Sequence, residues 1–237
     1  MGLDPHSRSR LTHRTAARFT GETLFDRLAR AVCRAECLPR KELYESWELA
    51  RRVRRHFRGG RVIDLAAGHA LLAHVLLLLD DTSPSAVAID ARAPASAPKL
   101  AAVLTEEWPR LAGRVSFLEA SITEPLPISI AAGDLVVSAH ACGALTDRVL
   151  ELAVAGHARV AVLPCCQDAA TSDSGGLSGW LDDALSIDVT RALRVSSQGY
   201  EIRTLEIPRA ITEKNRVLLA APRAGLISTI SPISGAP

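Results

Sequence analysis

Aromatic side chains are scarce in this chain. Three Trp, two Tyr and four Phe make up 4% of 237 residues, although 48% of the residues are hydrophobic. An aromatic-rich interior is therefore excluded, and the core must be aliphatic. Long apolar runs are lacking too. The longest, Leu71 to Leu79, carries His74 and is far too short to cross a bilayer, so no membrane partner is expected. The five cysteines (Cys33, Cys37, Cys142, Cys165 and Cys166) are an odd set with one adjacent pair. That argues against a secreted disulfide framework, and no signal-peptide pattern opens the chain, so a reducing cytoplasm is the expected setting; a transit peptide in the Arg-rich, acid-poor opening segment is the alternative. No segment marks an obligate protein partner. The net charge is only +2 but unevenly spread: residues 1–60 hold 14 Lys and Arg against 7 Asp and Glu, the remainder 14 against 19. Such asymmetry points to an anionic partner such as nucleic acid; the alternative is a solvated, Arg-rich helical surface.

The length suits one α/β domain with an appendage. Residues 1–20 are polar and read as disordered. Residues 21–58 read as a helical cap, with Leu24, Leu28, Ala31 and Val32 on one helical face and a second helix from about Arg40 to Phe57, after Pro39. Gly59-Gly60 is a stop signal. Over 59–222 strands and helices alternate, which favours a parallel sheet. Strands are expected at 61–66, 86–90, 114–118, 133–139, 158–163, 199–207 and 215–221, and helices at 70–80, 97–111, 144–155 and 177–185. The helix at 70–80 is apolar nearly all round and should be buried. Segment 167–178 has the composition of a flexible loop, either a lid or plain surface. Residues 223–237 read as a disordered tail.

Two segments carry a cofactor signature. Val62-Ile63-Asp64-Leu65 leads into the small-residue turn Ala66-Ala67-Gly68-His69-Ala70, and Ala86-Val87-Ala88-Ile89 ends in Asp90. Small residues let backbone N–H groups approach a nucleotide closely, and an acid after the second strand can take ribose hydroxyls. With Asp64 on the first strand, the pattern resembles class I S-adenosylmethionine (SAM) methyltransferases more than dinucleotide-binding domains. The resemblance implies SAM as cofactor, held by Asp64, the turn positions Ala66, Gly68 and Ala70, Asp90, Ser121, Ile122 and Ala139. Only the middle of three customary glycines is kept, and alanine suits the outer two positions only where φ is negative. The adenine-side acid expected after the third strand is replaced by Ser121-Ile122.

The fourth strand ends Ser138-Ala139-His140-Ala141-Cys142-Gly143, followed by Ala144-Leu145-Thr146-Asp147; the fifth ends Pro164-Cys165-Cys166. Thr146 is the expected cap of the helix it opens. This combination resembles a methyltransferase family that includes the eukaryotic tRNA acceptor-stem 2′-O-methyltransferases and the methyltransferase domain of glutathione S-transferase C-terminal-domain-containing proteins. Lys41-x-x-Tyr44-Glu45 and Thr212-Glu213-Lys214-Asn215-Arg216 resemble that family's Lys-Lys-x-His-Glu and Thr-Pro-Lys-Asn-Arg elements. The resemblance, over about 38–221, implies a seven-stranded Rossmann-like sheet, SAM-dependent methyl transfer and an RNA substrate, tRNA first. A small-molecule or protein substrate is one alternative, and a non-catalytic SAM- or metal-binding module another.

His140, Cys142, Cys165 and Cys166 should converge at the reacting methyl group and form the candidate catalytic set. Three chemistries stay open. His140 acts as base or orienter while the cysteines shape the site; a cysteine is a covalent nucleophile, which needs a lowered pKa; or the four residues ligate zinc, for which adjacent cysteines are awkward. Plain packing of small thiols is the fourth reading. On the preceding helix Lys41, Tyr44, Glu45 and Glu48 share a face that either covers the cofactor or receives the substrate, with Lys41, Tyr44 and Glu45 the candidate substrate contacts, while Leu43 and Trp47 should pack on the sheet. Arg51, Arg52, Arg54, Arg55 and Arg58 form a basic run suited to RNA phosphates, with Arg51 and Arg55 the named candidates.

Overall fold

Short runs of branched aliphatic residues form the centre of the molecule because both their faces are covered. The computed structural model of the protein describes residues 4–223. Seven strands form one sheet: β1 (Val62–Leu65), β2 (Ala86–Asp90), β3 (Val115–Glu119), β4 (Leu135–Ser138), β5 (Arg159–Val162), β6 (Tyr200–Glu206) and β7 (Arg216–Pro222). Their order is β3-β2-β1-β4-β5-β7-β6. The first five are parallel, with Val62 opposite Ala86 on one side and Leu135 on the other. Strand β7 runs antiparallel to both β5 and β6. This is the seven-stranded α/β sheet that the resemblance implied.

Alternation of side chains divides the core between the two faces. Val62, Val137, Ala161 and Leu219 pack on one side. Ile63, Leu65, Val136, Val160 and Val162 pack on the other. The first face is covered by α2 (Leu24–Ala35), α3 (Arg40–His56), α4 (Leu71–Leu79) and α5 (Ala97–Glu107). Every residue of α4 from Leu71 to Leu78 is buried, as its unbroken apolar sequence requires. The second face is covered by α6 (Ala144–Ala155) and α7 (Asp183–Ser197).

Helix α3 is tied to α4 by a buried ion pair. Arg54, 3% exposed, lies 3.0 Å from Asp80 and donates to Leu76 O at 3.1 Å and Ser83 Oγ at 2.9 Å. Burial opposes ionisation of Asp80, but hydrogen bonds from Thr82 and the Gly59 N–H, together with the Arg54 charge, override it and bring its pKa down to about 2.

Three expectations are corrected. Residues 4–20 are not disordered as far as the described chain shows. They hold α1 (His13–Ala16) and pair with the start of α3: the Leu11, Arg40 and Lys41 N–H groups donate to Leu38 O, Ser9 O and Ser7 O at 2.9–3.0 Å. Leu11 and Phe19 anchor this arm in the core, two apolar residues hidden in a polar stretch. The helix expected at 177–185 begins instead at Asp183, because the Asp182 side chain accepts the Leu185 N–H at 3.0 Å and caps it there. Helix α5 stops at Glu107, and Pro109 starts a separate 3-10 turn. Trp47 packs against the core on this face and also meets Phe25 of α2, with ring centroids 5.3 Å apart. The disorder expected of residues 223–237 lies, beyond Arg223, outside the described residues.

Candidate cofactor and substrate site

The β1–α4 turn keeps a three-glycine shape although two of the glycines are gone. Ala66, Gly68 and Ala70 have φ of 55°, 52° and 60°. Both alanines therefore take the positive φ that ordinarily calls for glycine. L-residues pay about 1–2 kcal/mol for that conformation, so the surroundings must impose it. They do so with backbone bonds: Ala67 N–H donates to Ile89 O at 3.1 Å, Ala70 N–H to Ala67 O at 2.8 Å, and Gly68 N–H to Asp90 Oδ2 at 2.8 Å. A Cβ built on Gly68 would meet no atom within 4 Å. Space therefore stands open directly over the turn.

Asp64 is 1% exposed, and its Oδ2 accepts the Ala73 N–H at 3.1 Å. Burial pushes its carboxyl well up, and the nearby Asp90 and Glu42 carboxylates push further. Asp64 thus anchors the first turn of α4. Asp90, half-buried, also accepts the Arg92 N–H through Oδ1 at 3.3 Å. Each of its oxygens keeps a lone pair for a hydroxyl. The open turn and the acid fit the nucleoside cofactor that the resemblance implies.

The next strand end carries an acid that the sequence reading missed. Glu119 closes β3 directly opposite Asp90 and accepts the Ala93 N–H at 2.9 Å. An acid as the last residue of a strand was the available signal. Ser121 Oγ lies 2.7 Å from Thr123 Oγ1, and Ile122 is buried on the α6 side of the sheet. The two follow Ala120, whose N–H donates to Asp90 O at 2.9 Å. Ala139 is buried just past β4.

His140 follows at the same edge. It is half-buried, and its Nε2 is enclosed without a hydrogen-bond partner among the described residues. Burial pushes its pKa down; the Glu45 carboxylate opposes this and the Lys41 ammonium adds to it. The first turns of α3 thus lie within electrostatic reach of His140. Glu45 is buried and lies 3.4 Å from Lys41 Nζ. Glu42, absent from the expected set, belongs here as well: burial, with repulsion from Glu45, raises its pKa to about 7. Tyr44 turns to α2, its ring 5.1 Å from that of Phe25.

The basic run is not brought to this site. Arg51 stacks over Trp47 at 5.9 Å and pairs with Glu48 at 3.1 Å; Arg52 also pairs with Glu48. Arg54 is the buried partner of Asp80, and Arg58 donates to Leu79 O. Arg55 is exposed, but fourteen residues of helix, about 21 Å, separate it from Lys41.

Strands β4 and β5 are neighbours, with Ser138 opposite Val162, and this brings the cysteines together. Cys142 Sγ lies 2.9 Å from Cys165 Sγ, which lies 3.8 Å from Cys166 Sγ. The Gly143 N–H donates to Cys166 O at 3.1 Å and ties the two loops. Gly143, not Thr146, caps α6; Thr146 Oγ1 donates back to Ala141 O at 2.6 Å. Buried Arg191 of α7 braces the same turn, donating to Gly143 O and Asp147 Oδ2, each at 2.9 Å. Segment 167–178 is held by Asp168, which accepts from Ala170 and Thr171 at 3.0 Å, and by the Asp173–Arg194 ion pair. Burial raises the thiol pKa values of Cys142 and Cys165, and neighbouring thiols raise that of Cys165 further. Among the described residues no cationic side chain acts to lower either. A covalent nucleophile needs the opposite.

A cavity of about 570 Å³ between α7 and β6–β7 is lined by Pro164, Leu185, Val189, Leu205 and Val217, and none of the expected site residues borders it. Ala70 and His69 do line a smaller one of about 140 Å³, with Ala93, Pro98 and Phe117.

Solved structures similar to the protein include the methyltransferase domain of bacterial CtHen1-C, at 15% identity over 78% of this chain and 100% of that one, with a TM-score of 0.52. The S-adenosylmethionine-dependent methyltransferase SibL, in its apo form, is 19% identical over 90% and 66%, with a TM-score of 0.50. An O-methyltransferase family protein from Burkholderia thailandensis is 17% identical over 91% and 64%, with a TM-score of 0.49. The chain thus spans just under two thirds of the length of the last two. At these identities the likeness shows the fold. No match is found among curated proteins. Residues 41–173, more than half of the sequence, match a family model described as a methyltransferase domain. The chain belongs to that methyltransferase domain family, and the family on this fold indicates SAM as the cofactor.

Proposed function

We propose that the protein transfers a methyl group from SAM to a nucleophile on RNA, with tRNA first among RNAs, held beside His140. The observation that carries this reading is the enclosed Nε2 of His140 at the carboxyl end of β4, unpartnered among the described residues and within electrostatic reach of Glu45 and Lys41 of α3. Bound SAM supplies an electrophilic methyl group on a sulfonium sulfur. Asp90 takes the ribose hydroxyls, and Asp64 holds the floor of the cofactor site through α4. His140 accepts a hydrogen bond from the incoming hydroxyl or amine and aims its lone pair along the line of displacement. Alignment of this kind supplies most of what methyl transfer needs.

Two features support RNA as the substrate class. One is the resemblance of the His140–Asp147 and Pro164–Cys166 motifs to a family containing tRNA methyltransferases. The other is the amino-terminal arm: Arg8 and Arg10 are exposed, and Arg10 acts electrostatically on His69 beside the cofactor turn. Arginines there can meet phosphates, whereas Arg52, Arg54 and Arg58 are engaged within the fold. A reducing cytoplasm suits both the free thiols and such a substrate.

The test is label transfer from methyl-labelled SAM to total tRNA. His140→Ala should lower kcat by at least tenfold while leaving SAM affinity within about twofold, and Arg8→Ala/Arg10→Ala should raise KM and flatten its salt dependence. Equal losses of turnover and SAM affinity in His140→Ala would remove His140 from the chemistry, and transfer to small molecules alone would remove RNA.

A further inference from the structure

The three thiols at the β4 and β5 strand ends are more than a packing detail. Buried cysteine behaves as a small apolar residue, which accounts for Cys33 in the core. It does not account for Cys142 and Cys166, which are exposed, or for half-buried Cys165. All three sulfurs lie within 4.8 Å of one another, although they come from two loops separated by more than twenty residues. The adjacent pair, which looks ill-suited to share an ion when read as sequence, turns both sulfurs to the same place.

From this geometry we propose that Cys142, Cys165 and Cys166 form a site for a thiophilic metal cation, zinc(II), with three thiolate ligands and a fourth position open to solvent. Zinc–sulfur bonds of about 2.3 Å set sulfurs about 3.8 Å apart at the corners of a tetrahedron. The Cys165–Cys166 separation is 3.8 Å, and Cys142 must move away from Cys165 by about 1 Å from its present 2.9 Å. Binding exchanges three S–H bonds for three sulfur–zinc bonds and releases three protons to solvent. No oxidant is required, and the present 2.9 Å spacing is well beyond the roughly 2.05 Å of a disulfide.

The frame around the sulfurs is already in place. The Gly143 N–H to Cys166 O bond joins the two loops, and Gly143 takes φ 55° and ψ −131°, a combination open essentially to glycine alone. Arg191 holds the Gly143 carbonyl from behind. Three ligands with an open position are the pattern of a site able to take an exogenous ligand. An ion there would fix the loop that carries His140, two residues before Cys142.

The full chain, purified without chelator, tests this. Metal analysis should find about one zinc per chain, and titration of the chelated, reduced protein with Cd2+ should give a thiolate charge-transfer absorption that saturates at one equivalent. Cys142→Ser and Cys166→Ser should each weaken Cd2+ binding at least tenfold. Both positions are exposed, so the metal-free variants should keep the melting temperature of the metal-free wild type. Cys33→Ser and Cys37→Ser should bind as the wild type does. Absence of the charge-transfer band with all thiols reduced, unchanged affinity in Cys142→Ser, or a Cys142–Cys165 disulfide found by mass spectrometry in freshly purified protein would overturn the proposal. These readouts do not depend on methyl transfer, so they stand or fall apart from the proposed function.

Discussion

The amide of Gly68 donates to Asp90 Oδ2 at 2.8 Å. One bond thus joins the turn after β1 to the acid that ends β2, and the two halves of the candidate cofactor site are set by each other. Gly68 also sits at φ 52° with open space where a side chain would point.

Gly68→Ala separates these two roles. The left-handed backbone makes alanine cost about 1 kcal/mol of stability. The new methyl group projects into the space over the turn. SAM affinity, measured by calorimetry, should therefore fall by more than tenfold while the chemical denaturation midpoint shifts only modestly. A stability loss with unchanged SAM affinity would mean that the cofactor passes elsewhere.

Ala66 and Ala70 make the converse prediction. Both hold a conformation that glycine adopts without penalty. Ala66→Gly and Ala70→Gly should each raise stability by up to about 1 kcal/mol, the strain relieved less the extra entropy of the unfolded chain. Urea denaturation reads this directly. Destabilisation at both positions would show that the alanine methyl groups contribute packing that outweighs the strain.

The Arg54–Asp80 pair predicts a pH dependence of stability. The folded pKa of Asp80, about 2, lies below its ordinary value of 3.8, so the folded state binds this proton less readily than the unfolded chain. The resulting stabilisation is complete above about pH 4 and is lost as pH falls toward about 2; its full size is about 2 kcal/mol. The stability gap between the wild type and Asp80→Asn should therefore narrow by about 2 kcal/mol across that window. A gap constant with pH would mean that Asp80 is not held as a buried carboxylate.

Much of this architecture was legible in the sequence because the physics was local. β1, β4 and β5 are doubly buried, and their runs Val-Ile-Asp-Leu, Leu-Val-Val-Ser and Arg-Val-Ala-Val show it without tertiary knowledge. Helix α4 declared its burial by having no polar face. Where a single residue decided the outcome, composition misled. Leu11 and Phe19 order an arm that reads as polar, and Asp182 moves the start of α7 by about two turns. Glu119 and Glu42 entered the site only through strand register and helix packing, which link residues distant in the chain. The cysteine cluster was visible as four residues at two strand ends. What the structure adds is the separation of its members: three sulfurs converge, while His140 stands with Glu45 and Lys41. The basic run on α3 shows the same limit, since charge density says nothing of Arg54 turning inward to Asp80.

The central claim is a SAM site built on Gly68 and Asp90, and isothermal titration of the purified protein with SAM and with S-adenosylhomocysteine tests it most directly. The account predicts micromolar binding of both, weakened by about 1–3 kcal/mol in Asp90→Ala, the cost of removing a hydrogen-bonded charged group. Absence of binding by the wild type, or equal affinity in Asp90→Ala, would contradict it.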